Sequence, residues 1–212
     1  MAEGLELRKV VIAKGGQPLV GLDCVIAPGD VLTVMGPSGV GKSTLLAYVT
    51  GTLPPAFVGT GRVLLDGEDI TKVPPHQRRV GILFQDDLLF PHLSVGANLA
   101  FGLRKGGSRA DRKARVDEAL EQVNLGGFAD RDPATLSGGQ RARVSLMRVL
   151  LSEPGALLLD EAFSRLDTVL RAQVRQLVFR RAREMRLPVL MVTHDADDAA
   201  AAAGDVVTFG TD

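Results

Sequence analysis

The sequence predicts an α/β fold with a mostly parallel central sheet, a small antiparallel β layer and an inserted helical subdomain. Three observations favour this class. Short, almost continuous apolar runs of the kind found in parallel strands recur along the chain; they are Val31–Met35, Val80–Phe84, Ala156–Leu159 and Val189–Val192. Glycine-rich turns divide the N-terminal part into further strands. The long segment between the second and third apolar runs has helical spacing instead.

The antiparallel layer is expected from the N-terminal segment together with one later strand. Residues 5–28 read as short strands that are broken by a turn at Gly15–Pro18. Arg62–Leu65 reads as another strand, and Asp66–Gly67 follows it as a tight turn. The sequence does not define how these strands pair.

A glycine-rich segment follows the first apolar run and has the spacing of a phosphate-binding loop. Its members are Gly36, Pro37, Ser38, Gly39, Val40, Gly41, Lys42 and Ser43, with Thr44 opening the next helix. Glycines let backbone N–H groups approach a polyphosphate, and the Lys42 ammonium can bind its outer oxygens. The hydroxyl of Ser43 is a hard oxygen that suits Mg²⁺. A glycine-rich turn that binds nothing is the alternative, but a strand before it and a helix after it favour a P-loop NTPase.

Each of the other apolar runs ends in a polar residue. Gln85 follows the second run, Asp160 and Glu161 follow the third, and Thr193 and His194 follow the fourth. Ligands of open α/β sheets bind at the carboxyl ends of the strands. We therefore expect these side chains to share one active site with the glycine-rich loop. A lone histidine is usually a structural residue, but the position of His194 after a central strand favours the site.

The segment between Gln85 and Ala156 is expected to form a helical subdomain, because it is too long for a simple connection. Val116, Ala119, Leu120 and Val123 have the spacing of one helix face, and a later helix begins at Leu136–Gln140. A serine and two glycines at a helix N-terminus can bind a second anion. A serine N-cap with flexible glycines is the alternative explanation.

A further helix is predicted between Leu166 and Arg186. Its apolar face consists of Leu166, Leu170, Val174, Leu177, Val178 and Met185. Arginines occupy the remaining surface, at positions 171, 175, 180, 181 and 183. Exposure to solvent explains an arginine-rich helix surface of this kind, and attraction to anionic lipid headgroups is the alternative explanation.

Composition narrows the class of protein. The 25 basic and 25 acidic residues balance, so nothing indicates nucleic-acid binding. One cysteine, Cys24, allows no internal disulfide, and no apolar run is long enough to span a membrane. The first residues do not have the pattern of a signal peptide. We expect a soluble, intracellular protein.

The chain resembles an ATP-binding-cassette (ABC) ATPase over nearly its whole length. The resemblance depends on three segments in this order: Gly36–Ser43, Leu136–Gln140 and Leu157–Glu161. The resemblance implies one ABC ATPase domain over residues 1–212. A helical subdomain at about 86–155 would be inserted in a RecA-like core.

The resemblance also implies roles for individual residues. Lys42 would bind ATP, Asp160 would hold Mg²⁺, and Glu161 would polarise the attacking water. Gln85 resembles the glutamine that senses Mg²⁺ and the transport partner, and His194 resembles the histidine that contacts the γ-phosphate.

The same resemblance implies a head-to-tail homodimer around two ATP molecules. In such a dimer the signature segment of one copy closes over the ATP of the other copy. The residues concerned are Ser137, Gly138, Gly139 and Gln140, together with Asp167 in the segment that resembles the D-loop.

Asp86–Val95 and Asn98–Phe101 are similar to bacterial importer ATPases for thiamine, polyamines, sulfate, molybdate or iron. This similarity implies membrane permease subunits as partners, a substrate-binding protein acting indirectly, and a place on the cytoplasmic face of the inner membrane. The chain ends soon after Asp205–Phe209, so we expect no regulatory C-terminal domain.

Two other functions are considered. A soluble ABC ATPase acting on nucleic acid or the ribosome usually has two cassettes or a long coiled coil, and the sequence has neither. A small-molecule kinase would leave Ser137–Gln140 and His194 unexplained.

The sequence departs from the family pattern at two places. Ala162 replaces the proline that usually follows the glutamate, and no aromatic residue occurs between Met1 and Ser43. The family stacks adenine on an aromatic near the positions of Ala13 and Lys14. We therefore expect weak recognition of the base, with GTP bound within about tenfold of ATP.

Overall fold

The computed structural model describes residues 3–37 and 39–210, so Ser38 of the glycine-rich loop lies outside the described residues. Within these ranges the strands are β1 (Leu5–Lys14), β2 (Gln17–Ile26), β3 (Val31–Met35), β4 (Phe57–Leu65), β5 (Glu68–Asp69), β6 (Val80–Phe84), β7 (Ala156–Asp160), β8 (Val189–Thr193) and β9 (Asp205–Thr208). The α-helices are α1 (Lys42–Thr50), α2 (Val95–Gly102), α3 (Arg109–Glu121), α4 (Gly138–Leu150), α5 (Thr168–Glu184) and α6 (Ala196–Ala202). Short 3₁₀ turns occur at Pro75–Gln77 and Pro133–Thr135.

The central sheet has the strand order β6-β7-β8-β3-β9. β3 pairs in parallel with both β8 and β9, and β7 pairs in parallel with β8. All five residues of β8 are buried, as are the first four of β3 and of β7. The predicted parallel, buried strands are confirmed for β3, β7 and β8, whereas β6 is present as a strand but buries only Gly81 and Leu83. Because these strands run the same way, their carboxyl ends lie at one edge of the sheet.

The antiparallel sheet has the order β2-β1-β4-β5 and confirms the predicted β layer. The expectation of short strands was wrong, because β1 and β2 are ten residues each. Gly15 and Gly16 both have positive φ and form a two-residue turn that lets the strands pair up to Lys14 and Gln17. A register shift between Leu7 and Val10 bends β1.

The chain divides into two compact units. The first comprises residues 1–82, 155–161 and 179–212, and the second comprises residues 83–154 and 162–178. In the first unit, α1 and apolar residues of both sheets form one hydrophobic core. In the second unit, α2 packs closely on α4, since a Cβ at Gly102 would lie 2.1 Å from the carbonyl oxygen of Arg148.

Helix α5 ends two residues earlier than the predicted helix. The inclusion of Met185 in the buried face was wrong, because Met185 follows the helix end and is 41% exposed. The buried face contains Val174, Leu177, Val178, Phe179 and Ala182. Two of the arginines bind backbone carbonyls: Arg171 donates to Ser164 and Leu166, and Arg183 donates to Ala202. The helix is thus an ordinary packed helix whose arginines are partly engaged within the protein.

A buried arginine fixes the C-terminal end of α1. The guanidinium of Arg78 donates hydrogen bonds to the carbonyl oxygens of Tyr48 and Val49 in the last turn of α1, and also to Thr71 and Val73. Burial lowers the pKa of Arg78. A cation at this end of a helix also interacts favourably with the helix dipole. The side chain therefore links α1 to the segment that leads into β6.

Replacing Arg78 with methionine is expected to reduce the free energy of unfolding by roughly 3 kcal/mol, because buried carbonyls lose charged donors. Denaturant unfolding of the whole chain measures this change. Arg79, its sequence neighbour, is exposed, and Arg79→Met is the control, with an expected loss below about 1 kcal/mol. A loss for Arg78→Met no larger than that of the control would contradict the structural role.

No helix in the described part of the chain is long and apolar enough to cross a membrane.

Candidate nucleotide-binding site

The glycine-rich loop joins the end of β3 to the start of α1. Gly36, Gly39 and Gly41 all have positive φ, at 152°, 84° and 99°. A Cβ at Gly36 would lie 2.7 Å from the carbonyl oxygen of Phe209, and one at Gly41 would lie 2.9 Å from the side chain of Leu19. The loop conformation and its close neighbours therefore require glycine at these positions.

The N-terminus of α1 has no capping side chain at its N-cap position. Gly41 is the N-cap, and a glycine has no side chain that could accept a hydrogen bond from the first turn. In contrast, Ser94 caps α2 and Ser137 caps α4 with their hydroxyl oxygens. The first amides of a helix need acceptors, and a polyphosphate can supply them.

Lys42 is the charged group of this loop. Its side chain is 5% exposed, and its ammonium donates hydrogen bonds to the carbonyl oxygens of Gly36 at 2.7 Å and Pro37 at 2.9 Å. These bonds hold the charge against the loop backbone. The ammonium has three donors, so one remains for a phosphate oxygen.

Two oxygen ligands meet beside the loop. The hydroxyl of Ser43 donates to Oδ1 of Asp160 at 2.8 Å, although 117 residues separate them in the chain. Burial raises the pKa of Asp160, and the hydrogen bond from Ser43 opposes that shift. Mg²⁺ prefers oxygen ligands and, in phosphate sites, usually takes only one or two from the protein. The pair therefore fits Mg²⁺, even though the described residues include no cluster of three His, Cys, Asp or Glu side chains.

Glu161 and His194 face each other across the ends of β7 and β8. Nδ1 of His194 lies 3.3 Å from Oε1 of Glu161. Glu161 has the positive φ of 47°, and its amide donates to the carbonyl oxygen of Val192 at 3.0 Å. A non-glycine residue seldom takes this conformation, which the adjacent strand here holds in place.

The turn that carries His194 is held by buried polar contacts. The hydroxyl of Thr193 donates to Oδ2 of Asp198 at 3.2 Å and accepts from the amide of Asp195 at 3.0 Å. Asp195 in turn caps α6. These contacts, which the sequence did not indicate, position the histidine next to Glu161.

Asp160→Asn is expected to raise the melting temperature of the nucleotide-free protein by on the order of 2 °C at neutral pH. Burial raises the pKa of Asp160, so its protonated form favours the folded protein. This contribution to stability is present below the unfolded pKa and is lost as the pH rises through the folded pKa. Asparagine has no such charge and can still accept from Ser43. Calorimetry at neutral and acidic pH measures the difference, which should vanish in acid.

The same variant should lose the extra stabilisation that Mg²⁺ gives to bound ATP. Asp205→Asn is the control, because Asp205 is exposed at the opposite, N-terminal edge of the sheet. A lower melting temperature for Asp160→Asn without nucleotide would contradict the desolvation of this carboxylate.

The remaining predicted site residues lie in the second unit. Gln85 is exposed after β6, and it lines a cavity of about 520 Å³ together with Gly138 and Leu166. Ser137 is exposed and forms a capping box with Gln140. Oδ1 of Asp167 accepts from the amides of Val169 and Leu170 and so starts α5.

The signature glycines differ in environment. Gly139 is buried, and a Cβ there would lie 2.9 Å from Leu170, so packing explains this glycine. Gly138 is half-buried and lies next to the exposed Ser137. The capping box shows that Ser137 is a helix N-cap, which was the alternative explanation for this segment. The N-terminal turn of α4 is nevertheless exposed at Ser137.

The structure also reveals an aromatic residue that the sequence reasoning missed. Phe57, at the start of β4, lies directly opposite Lys14, and the Lys14 ammonium is 5.5 Å from the centre of its ring. Phe57 follows the glycine-rich loop in the sequence, and only the pairing of β1 with β4 brings it to Lys14.

The fold and the first-unit residues define a P-loop nucleoside triphosphatase. The sequence model of the ABC transporter family matches residues 19–164, and the chain belongs to this family. It is therefore an ATP-binding and ATP-hydrolysing protein of the ABC transporter class.

Similar proteins agree with this assignment. The chain is 49% identical to the uncharacterized ABC transporter ATP-binding protein YnjD of Escherichia coli, over 86% of the chain and 84% of that protein. It is 42% identical to the Fe(3+) ions import ATP-binding protein FbpC of Mannheimia succiniciproducens, over 89% of the chain and 53% of that protein. It is also 42% identical to the sulfate/thiosulfate import ATP-binding protein CysA of Methylococcus capsulatus, over 97% of the chain and 60% of that protein. The chain thus spans little more than half the length of the iron and sulfate relatives.

A solved structure has the same fold. CbiO1 of Clostridium perfringens, part of the ABC transporter complex cbiONQ, superposes with a TM-score of 0.84 at 28% identity. The superposition covers 98% of the chain and 85% of CbiO1.

Proposed function

We propose that this protein is the ATPase subunit of an importer and drives a separate membrane permease. The observation that carries the proposal is the convergence of Ser43, Asp160, Glu161 and His194 beside the start of α1, where the N-cap is a glycine. The names of FbpC and CysA, both import ATP-binding proteins, support the importer class.

The glycine-rich loop and Lys42 bind the phosphates of ATP. The amides at the start of α1, which the N-cap Gly41 cannot cap with a side chain, donate to phosphate oxygens, and the buried ammonium of Lys42 adds a charged donor. Ser43 and Asp160 would hold Mg²⁺, which would supply positive charge next to the terminal phosphates.

Glu161 orients the attacking water and takes up its proton. Its backbone is held by Val192, and its carboxylate lies within reach of the His194 ring. His194 can then donate a hydrogen bond to the terminal phosphate while it contacts Glu161. Gln85 takes part at the end of β6 by responding to Mg²⁺ and to the permease.

The complete site forms between two copies of the chain. Ser137 and Gly138 present the N-terminal turn of α4 on its exposed side, and Asp167 starts α5 on an exposed loop. These groups suit the ATP of a second copy, with Gly139 and Gln140 supporting the turn. The homodimer is head-to-tail, and each ATP lies at the interface.

Partners and location follow from the same proposal. The permease is the direct partner, and a substrate-binding protein acts through it. The protein works on the cytoplasmic face of the inner membrane, and no nucleic acid takes part. The balanced charge of the chain supports the absence of a nucleic-acid partner. The membership of CbiO1 in a transporter complex supports a permease as the direct partner.

Isolation of the complex from membranes of the source organism tests this function. The full chain with an affinity tag should retain a polypeptide with several membrane-spanning segments after detergent extraction, and mass spectrometry identifies it. In liposomes, that complex should hydrolyse ATP faster when its substrate-binding protein is loaded. Recovery of ribosomal proteins or nucleic acid instead, with no membrane polypeptide, would contradict the transport function.

A further inference from the structure

Phe57 and Lys14 form a cross-strand pair at the end of the antiparallel sheet. Lys14 is the last residue of β1, and Phe57, directly opposite it, is the first residue of β4. The Lys14 ammonium is 5.5 Å from the centre of the Phe57 ring. Phe57 is half-buried against the core of the first unit, while Lys14 is exposed.

This pair lies on the face of the sheet that meets the phosphate-binding loop. Lys14 also pairs with Gln17 of β2, so these three side chains share one face. Ile12, two residues before Lys14 in β1, is on the same face by strand alternation, and it pairs with Val20 of β2. A Cβ added at Gly41 would lie 3.2 Å from the side chain of Val20, which places this face against the loop.

The distance from the loop suits the base of a bound nucleotide. Val20 and Phe57 are separated by two strand spacings and by two residues along the strands, which corresponds to about 12 Å. A ribose and its phosphates extend over a comparable distance. The ring of Tyr48 on α1 contacts Gly59, two residues after Phe57, and confirms that this face is turned toward α1.

The chemistry of the pair suits a purine but not adenine alone. An aromatic ring offers a stacking surface to any base. The lysine ammonium only donates hydrogen bonds. Guanine presents two acceptors, O6 and N7, on its edge, whereas adenine presents N7 beside a donor amino group. A lysine at this place therefore gives guanine an additional contact.

We propose that Phe57 and Lys14 form the platform for the nucleotide base, and that this platform binds guanine at least as well as adenine. The inference rests on the proposed ATP site and adds the residues that select its base. It explains how the chain can bind a base although no aromatic residue occurs before Ser43.

Equilibrium titrations of the full chain with ATP, GTP and inorganic tripolyphosphate, each with Mg²⁺, test the platform. Phe57→Leu should weaken ATP and GTP by about tenfold, because it removes base stacking, and should leave tripolyphosphate unchanged. Phe57→Tyr should restore both affinities. Lys14→Met should weaken GTP several-fold more than ATP.

Val58→Ala is the matched control, because Val58 is the next residue of β4 and is exposed on the opposite face. Melting temperatures show that the variants are folded. Unchanged ATP and GTP affinities in Phe57→Leu would overturn the platform, and so would an equal loss of tripolyphosphate. If the unaltered chain bound neither tripolyphosphate nor ATP, that result would contradict the phosphate site itself.

Discussion

Replacing Glu161 with glutamine is expected to lower the rate of ATP hydrolysis by about 10²–10³-fold while ATP still binds. Glutamine has nearly the shape of glutamate but cannot take a proton from the attacking water, and general-base catalysis contributes a factor of this size. Glu161 lies beside His194 and directly after Asp160, the proposed Mg²⁺ ligand, so the loss should affect kcat rather than affinity.

Phosphate release with saturating Mg-ATP measures this effect, and nucleotide titration measures binding. Glu68→Gln is the control, because Glu68 is an exposed glutamate of the antiparallel sheet. Its hydrolysis rate should equal that of the unaltered protein. A Glu161→Gln variant with more than about a tenth of the normal rate would place the general base elsewhere.

Replacing Lys42 with alanine is expected to weaken ATP binding by at least about thirtyfold and to abolish measurable hydrolysis. The ammonium is buried against the loop, where its charged hydrogen bonds to phosphate are each worth roughly 1.5–3 kcal/mol. Its removal also frees the carbonyls of Gly36 and Pro37, so the loop itself should become less ordered.

Calorimetric titration with Mg-ATP measures the affinity, and Lys72→Ala is the control because Lys72 is an exposed lysine of the same unit. Lys42→Arg keeps the charge but not the compact ammonium, and it should recover little activity. Binding of ATP by Lys42→Ala within about threefold of normal would contradict the role of the loop.

The parts of the fold that could be predicted depend on local patterns. β3, β6, β7 and β8 were predictable because each is a continuous apolar run ended by polar residues. The glycine-rich loop was predictable because its function depends on the spacing within one short segment. The meeting of Ser43 with Asp160 followed from strand direction, since parallel strands end at one edge.

The parts that were missed depend on pairing between distant segments. The turn at Gly15–Gly16 was visible, but the full length of β1 depends on its pairing with both β2 and β4. Phe57 became a candidate only when that pairing put it opposite Lys14. The burial of Arg78 and its link to α1 could not be predicted, because the groups that accept its hydrogen bonds are backbone carbonyls, which have no signature in the sequence.

The central claim is that ATP closes two copies of this chain around a shared site. Light scattering on Glu161→Gln at high protein concentration tests it most directly, because this variant is expected to bind ATP without consuming it. With Mg-ATP the variant should have the mass of a dimer, and with Mg-ADP it should return to the mass of a monomer. A monomer with every nucleotide would contradict the shared site.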